Sequence, residues 1–499
     1  MKLEARPLLK ALLAGATLST LFFYPLIDAL ASNPYYLHWQ GRDSLELGLA
    51  GLALALLFGC GEWVVAKRSS PRVRLIGRLA LLAVPLMSWV SALLRGLDPD
   101  SVSARQLSGM VPVLGAGGLA AMVLATMSRR ASSFLAAAVF RAMLVLSPVS
   151  LIFLWYILPL SGRTSPRVLS TEPTGSVRLE RPAMATGVYV LVFDEFSYDF
   201  LYDERAQIRE SLSNLSSLAR IATHYHRASS PGASTLPSLM GLLAARRDVS
   251  PRIAGRRLVE NTASGPVHPD LSGPSTLVGM ARQRGFRTEV FGWYNPYCDL
   301  LAGAVDACRS VSMYNVASAG DRFAIWHPLA TTVNMWPHQW PTGLAKNPVA
   351  LAYHRTMLRL FTDAAVSPVP DTRPVLRLVH FNIAHGPFLG ECGGIGCNPF
   401  DPSDANYLAQ LARVDEVIGT VRAALEEAHA WDRSVIAVLS DHEFRRRTPA
   451  AEHTHVPLIV KLQGQVERAD VQQGTRAETA LADLVRTFRV ESEARIIHE

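Results

Sequence analysis

The chain has 499 residues, 49% of them hydrophobic and 18% charged, which is too apolar and too long for one ordinary soluble domain. Its formal charge of +7 does not mark a nucleic-acid binder. Much of the excess sits beside apolar stretches, at Lys67, Arg68, Arg72, Arg74, Arg78, Arg129 and Arg130, and no Lys/Arg run interleaved with aromatics stands out elsewhere. The apolar residues crowd into the first third, and from Gly187 onward the sequence reads like a soluble α/β protein, so two regions with two solvents are implied.

Apolar stretches over residues 8–30, 47–66, 75–95, 108–127 and 133–160 each approach the roughly 20 residues that cross a bilayer's hydrocarbon core, and they predict five transmembrane helices in an anchor over 1–160. The first carries Pro25 and Asp28 and is followed by further spans, unlike a signal peptide. Lys2, Arg6 and Lys10 precede it, the Lys67–Arg78 cluster separates spans two and three, and Arg129 and Arg130 separate four and five. The alternate loops hold only Arg42, Arg95 and Arg105, so the positive-inside rule places everything past Leu160 outside. Tyr35, Tyr36, Trp39, Trp155 and Tyr156 fall near the outer boundaries, as interfacial aromatics do. The intramembrane charges Asp28, Glu62 and Arg141 lie near span ends, which favours an anchor over a transporter.

Residues 161–186, rich in Ser, Thr, Pro and Arg, read as a linker. The exported domain is expected over 187–499. Short apolar, β-branched runs at Gly187–Phe193, Val375–Phe381, Val435–Leu439 and Val456–Leu462 read as buried parallel strands. Leu408, Leu411, Val414, Ile418, Val421 and Leu425 mark an amphipathic helix. Alternating strands and helices predict a doubly wound, mainly parallel α/β sheet, with ligands beyond the strands' carboxyl ends. Cys60 lies inside a span, and the other four cysteines belong to the exported part, where disulfides persist. Neighbours in sequence pair Cys298 with Cys308 and Cys392 with Cys397, although four cysteines allow three connectivities.

Acidic and histidine residues follow three of the runs: Asp194 with Glu195, His380 with His385, and Asp441 with His442. Each alone has a bland reading as a helix cap or a hydrogen-bonded core histidine. Together, carboxylates and imidazoles at neighbouring strand ends suit a divalent metal of the zinc or manganese type. The aromatic segments Gly292–Tyr297 and Trp326–Trp340 either line an acceptor cleft, touch a membrane interface or serve packing.

The order of these motifs resembles the alkaline phosphatase and sulfatase superfamily, in particular its membrane-anchored branch of phosphoethanolamine and phosphoglycerol transferases. The resemblance implies a metal site of Glu195, Thr235, Asp441 and His442, with Asp194 as a further candidate ligand. Ser229–Gly241 is similar to the sulfatase nucleophile turn, with Thr235 in place of the modified cysteine and Ser230 and Ser234 as less favoured hydroxyls. His380-Phe-Asn-Ile-Ala-His385-Gly-Pro is similar to the family's His-Gly-Pro loop, and His453-Thr-His455-Val-Pro to its late contact segment; His380, His385 and His455 are thereby expected to bind phosphoryl oxygens or move protons. Glu443 stands where many relatives carry Gly.

The implied cofactor is a divalent metal, zinc first and manganese second. The implied partners are a phospholipid donor, an envelope glycan or lipid acceptor and the membrane. The implied place is a bacterial inner membrane with the catalytic domain on its periplasmic side. Oligomeric state is left open, and a hydrolase acting on phosphate or sulfate esters at the same residues is the alternative.

Overall fold

The computed structural model describes residues 5–32, 36–95, 128–162, 168–170, 184–247, 251–254, 257–262, 265–320, 322–337, 343–370, 372–389, 398–444 and 453–489. The chain forms two compact units, Met1–Thr164 with Tyr314–Ala350, and Ser165–Met313 with Leu351–Glu499. Residues 314–350, which the sequence reading assigns to the exported domain, thus belong to the helical unit.

The helical unit contains α1 (Ala5–Ser32), α2 (Gly41–Ala66), α3 (Pro71–Arg95), α4 (Arg129–Val145) and α5 (Ser147–Ile157). Among the described residues, four stretches are long and apolar enough to cross a membrane: Arg6–Ser32, Gly41–Ala66, Pro71–Ala92 and Arg129–Leu160. The expected span over 108–127 lies outside the described residues. The last stretch is broken at Leu146, because Pro148 has no N–H to give and instead opens α5. Pro25 and Pro85 sit inside α1 and α3, as membrane helices tolerate.

Two buried polar knots hold this unit. Near one end, the Arg78 guanidinium of α3 meets Glu62 of α2 at 2.6 Å and donates to the Ala136 carbonyl of α4 at 2.6 Å. Near the other, the fully buried Glu46 of α2 accepts the Ala324 N–H at 3.0 Å and faces His327 Nδ1 at 3.0 Å. There too Asn315 donates to the Leu37 carbonyl and to Asp43, and Trp336 Nε1 donates to Ser88 of α3 at 2.9 Å. Leu26, Leu30, Leu47, Ile157, Met335 and Trp336 share one apolar cluster around these contacts.

The second unit is built on a nine-stranded sheet of β1 (Val168–Ser170), β2 (Gly187–Asp194), β3 (Thr223–Tyr225), β4 (Arg287–Trp293), β5 (Ala307–Val311), β6 (Val375–Ala384), β7 (Val435–Ser440), β8 (Leu458–Lys461) and β9 (Ala469–Val471), in the order β1-β5-β4-β6-β2-β7-β8-β3-β9. From β5 to β7 all neighbours are parallel. β2 and β6 are buried at every position, as a strand covered on both faces must be. The sheet is therefore mixed but mostly parallel.

Two expectations are corrected here. β8 runs antiparallel to β7, not parallel, since the described residues between Ser440 and Leu458 include no helix to carry a parallel crossover. The expected linker contains β1, which pairs antiparallel with β5 at the sheet edge.

Candidate functional site

Three parallel strands side by side deliver the polar residues. β2 ends at Asp194, β6 carries His380 and leads to His385, and β7 ends at Ser440 before Asp441 and His442. The register sets His380 beside Val192 and Ser440 beside Phe193, so all three chains turn at the same sheet edge. Ligands of parallel sheets bind there because the strands' carboxyl ends open outward.

Asp194, Asp441 and His442 bring one ligand atom each to within 4.8 Å of one another, and all three are buried. Asp441 Oδ1 accepts the N–H groups of His442 at 2.9 Å and Glu195 at 3.1 Å, which fixes both turns. His442 Nδ1 lies 2.9 Å from the Glu443 carbonyl, and a carbonyl can only accept, so Nδ1 donates there and Nε2 is the ring nitrogen turned inward. Nε2 stands 3.4 Å from Asp441 Oδ2, 3.8 Å from Asp194 Oδ1 and 3.3 Å from the Thr235 hydroxyl.

Thr235 opens the helix α6 (Thr235–Ala244) directly after the extended Ser234. The helix places its free N–H groups, and hence positive potential, beside the hydroxyl. It is tied to the site by Ser238, whose hydroxyl donates to the Asp441 carbonyl. Gly241 is required, since a Cβ there would meet Pro231 at 2.4 Å.

Asp194, the further candidate in the sequence reading, is a member of the three-residue group, whereas Glu195 is not. Glu195 adopts φ 58°, a left-handed conformation costly for a residue with a Cβ. Tyr407 of α8 (Asp404–Glu427) holds that turn, donating to the Glu195 carbonyl at 2.6 Å and accepting the Ser197 N–H at 2.8 Å.

Asp194 Oδ1, Asp441 Oδ2 and His380 Nε2 are buried with no hydrogen-bond partner, a costly state for atoms of this charge and polarity. Burial pushes Asp194 upward, but the His380 ring 3.7 Å away and the charges of His385 and His442 outweigh it and hold the carboxyl well below its usual range. Asp441 moves the other way, raised by burial and by the neighbouring Asp194 charge. Oxygen and imidazole donors with unmet lone pairs fit a divalent cation, held by Asp194, Asp441 and His442 beside the Thr235 hydroxyl.

His380 Nε2 is 3.7 Å from Asp194 Oδ2, and its Nδ1 meets the Tyr297 hydroxyl at 2.8 Å. Tyr297 begins the short helix α7 (Tyr297–Leu300), which the Cys298–Cys308 disulfide pins to β5. Gly292 makes room, since a Cβ there would meet the Tyr297 ring at 2.6 Å. Cys392 and Cys397 lie outside the described residues. Trp293, at the end of β4, touches His354, His380 and His385, with ring centres 5.4 Å apart for His385. Sequence reasoning left the role of this aromatic segment open and missed His354; only the tertiary contact assigns them. His385 Nδ1 donates to the Gly386 carbonyl at 2.5 Å, so Nε2 is the ring nitrogen outside that contact.

His455 is placed apart from the three-residue group. Its Nε2 is 3.0 Å from the His226 carbonyl and its ring packs on Tyr198 at 4.5 Å. Glu443 accepts the Tyr198 N–H at 2.9 Å, a structural contact that a Gly cannot make, and burial pushes its carboxyl up to about 7.

Several solved structures resemble the chain at low identity. A protein in the alkaline phosphatase superfamily from Vibrio parahaemolyticus is 12% identical, covering 63% of this chain and 71% of its own, with a TM-score of 0.38. The phosphonate monoester hydrolase of Agrobacterium radiobacter is 15% identical, with coverage of 62% and 73% and a TM-score of 0.36. A 2-O GAG sulfatase is 14% identical, with coverage of 62% and 72% and a TM-score of 0.40. The comparison with curated proteins returns no match. The sulfatase family model matches residues 188–488, which takes in the sheet apart from β1 and the first residue of β2, together with Thr235, Asp194, Asp441 and His442, and the chain belongs to the sulfatase family.

Proposed function

We propose that the protein is a membrane-anchored, metal-dependent transferase that moves a phosphoethanolamine or phosphoglycerol group from a phospholipid to an envelope glycan or lipid acceptor. The observation that carries this reading is the Thr235 hydroxyl 3.3 Å from His442 Nε2, at a helix N-terminus and beside two buried carboxylates. A threonine cannot become formylglycine, so the residue that sulfate-ester hydrolysis needs in this family is missing from the nucleophile position. A divalent cation, zinc or manganese, supplies positive charge at the phosphoryl oxygens and lowers the pKa of a hydroxyl next to it.

The chain's own residues do the rest. Thr235 Oγ1 releases its proton to water and attacks phosphorus; the new Oγ1–P bond forms as the bond from phosphorus to the diacylglycerol oxygen breaks, and the Nε2 proton that His385 gives to that oxygen is replaced by the acceptor hydroxyl's proton in the second step. His385, through Nε2, returns a proton to the departing alkoxide, so charge and protons balance. The acceptor hydroxyl then attacks the phospho-Thr235 ester and restores the free threonine. The helix N-terminus of α6 stabilises the charge that develops on the phosphoryl oxygens. The reading extends to a bacterial inner membrane with the second unit on the periplasmic side.

A hydrolase reading is favoured by the family match: water takes the acceptor's place at the same residues. Intact-mass and peptide mapping after incubation with phosphatidylethanolamine or phosphatidylglycerol and zinc or manganese separates the two. A head-group adduct on Thr235, absent in Thr235→Ala, supports transfer. Ester hydrolysis with bound metal and no adduct selects the hydrolase.

A further inference from the structure

The segment Tyr314–Ala350 folds with the apolar helices, although none of it is hydrophobic enough to count as a span. Asn315, Ala324 and His327 bond to Leu37, Asp43 and Glu46, and Trp336 bonds to Ser88. At a rise of about 1.5 Å per residue, Glu46 lies roughly 8 Å inside the start of α2 and Ser88 roughly 10 Å inside the end of α3. These depths match the headgroup and acyl boundary, into which interfacial segments sink about 5–10 Å.

The buried side of the segment is thus accounted for, but its outer side is not. Arg322 is exposed, and Phe323, Ile325 and Trp326 are 46%, 49% and 54% exposed. The same end of the bundle exposes Leu45 and Leu49 on α2 and Trp155 and Leu158 after the bend of the last span. Water is a poor solvent for so many large apolar side chains exposed at one end of the bundle. A lipid interface suits it, because a tryptophan ring prefers the headgroup level and an arginine beside it reaches lipid phosphate.

We infer that residues 322–326, braced by the helix His327–Asn334, form a bilayer-contacting elbow whose partner is the headgroup and acyl boundary of a phospholipid leaflet. The elbow continues the lipid-facing surface of the helices and is rigidly set by the Glu46 carboxylate behind it.

Photo-crosslinking of the full-length chain in vesicles of phosphatidylethanolamine and phosphatidylglycerol tests this. Benzoyl-phenylalanine is placed at Ile325, at the exposed mid-helix Leu52 as a lipid-facing control, or at Val466, exposed on the second unit, as an aqueous control. The lipid adduct at Ile325 is expected at a yield about tenfold above Val466 and close to Leu52, as for a residue sunk in the interface. A yield equal to that at Val466, or a crosslink to a second protein chain, overturns the inference. An independent reading uses Trp326→Phe, which preserves the shape: quenching of tryptophan fluorescence by brominated lipid should fall relative to the parent chain, and unchanged quenching also overturns it.

Discussion

At the scale of single residues, the site turns on which of two adjacent acids meets the metal. Asp194 is the last residue of β2 and points with the other ligands, while Glu195 is already in the left-handed turn. Asp194→Asn should therefore lower bound zinc far more than Glu195→Gln, by about tenfold or more in affinity, read by metal analysis after dialysis against a chelating resin. Equal losses would return Glu195 to the ligand set. Sequence alone made the acidic pair visible but not the choice, because neighbouring residues at a strand end face differently and only the backbone turn decides.

A second residue, His224, carries a pH dependence unrelated to the metal. Burial pushes its imidazole down to about 4 from 6.5; Tyr202 donates to its Nδ1 at 2.7 Å, and its Nε2 donates to the Ala219 carbonyl. Folded His224 stays neutral where the unfolded chain binds a proton, so its stabilising contribution is full above about pH 6.5 and is lost as pH falls toward 4. The loss is on the order of 2–3 kcal/mol, and His224→Gln should flatten the denaturation midpoint across that window.

At the scale of elements, the centre of the sheet was readable because β2 and β7 are near-continuous apolar runs and β6 is one interrupted only by Arg377, His380 and Asn382, as strands buried on both faces need. The direction of β8 was not, since a buried strand has the same composition whichever way it runs. Inside the sheet, Glu289 of β4 is bound by Arg287 at 2.7 Å and by Arg377 of β6 at 2.6 Å, all three buried. Glu289→Ala removes the carboxylate that two buried guanidiniums share and should destabilise the second unit by about 3–5 kcal/mol, measured by chemical denaturation. The Cys298–Cys308 bridge closes a loop of 10 residues, and replacing both cysteines by Ser should cost roughly 3 kcal/mol if the pair is oxidised as the structure has it. The same variant should weaken ester turnover more than metal binding, because Tyr297, next to the bridge, contacts His380 and not the three-residue group.

At the scale of the whole molecule, hydropathy announces the helices but not the company they keep. The segment Tyr314–Ala350 has ordinary loop and helix composition, and what assigns it to the helical unit is a set of contacts to residues more than two hundred positions earlier, which no local pattern encodes. That interleaving has a consequence for synthesis. Asp43 and Glu46 leave the ribosome long before Asn315, Ala324 and His327, the groups that bond to them. The bundle therefore waits, with an acidic helix end uncovered, until the first half of the second unit, Ser165–Met313, has also been translated. Cutting the gene after the last span should release a membrane fragment prone to degradation, and cutting before β1 should release a soluble fragment with Met335 and Trp336 uncovered and a tendency to aggregate.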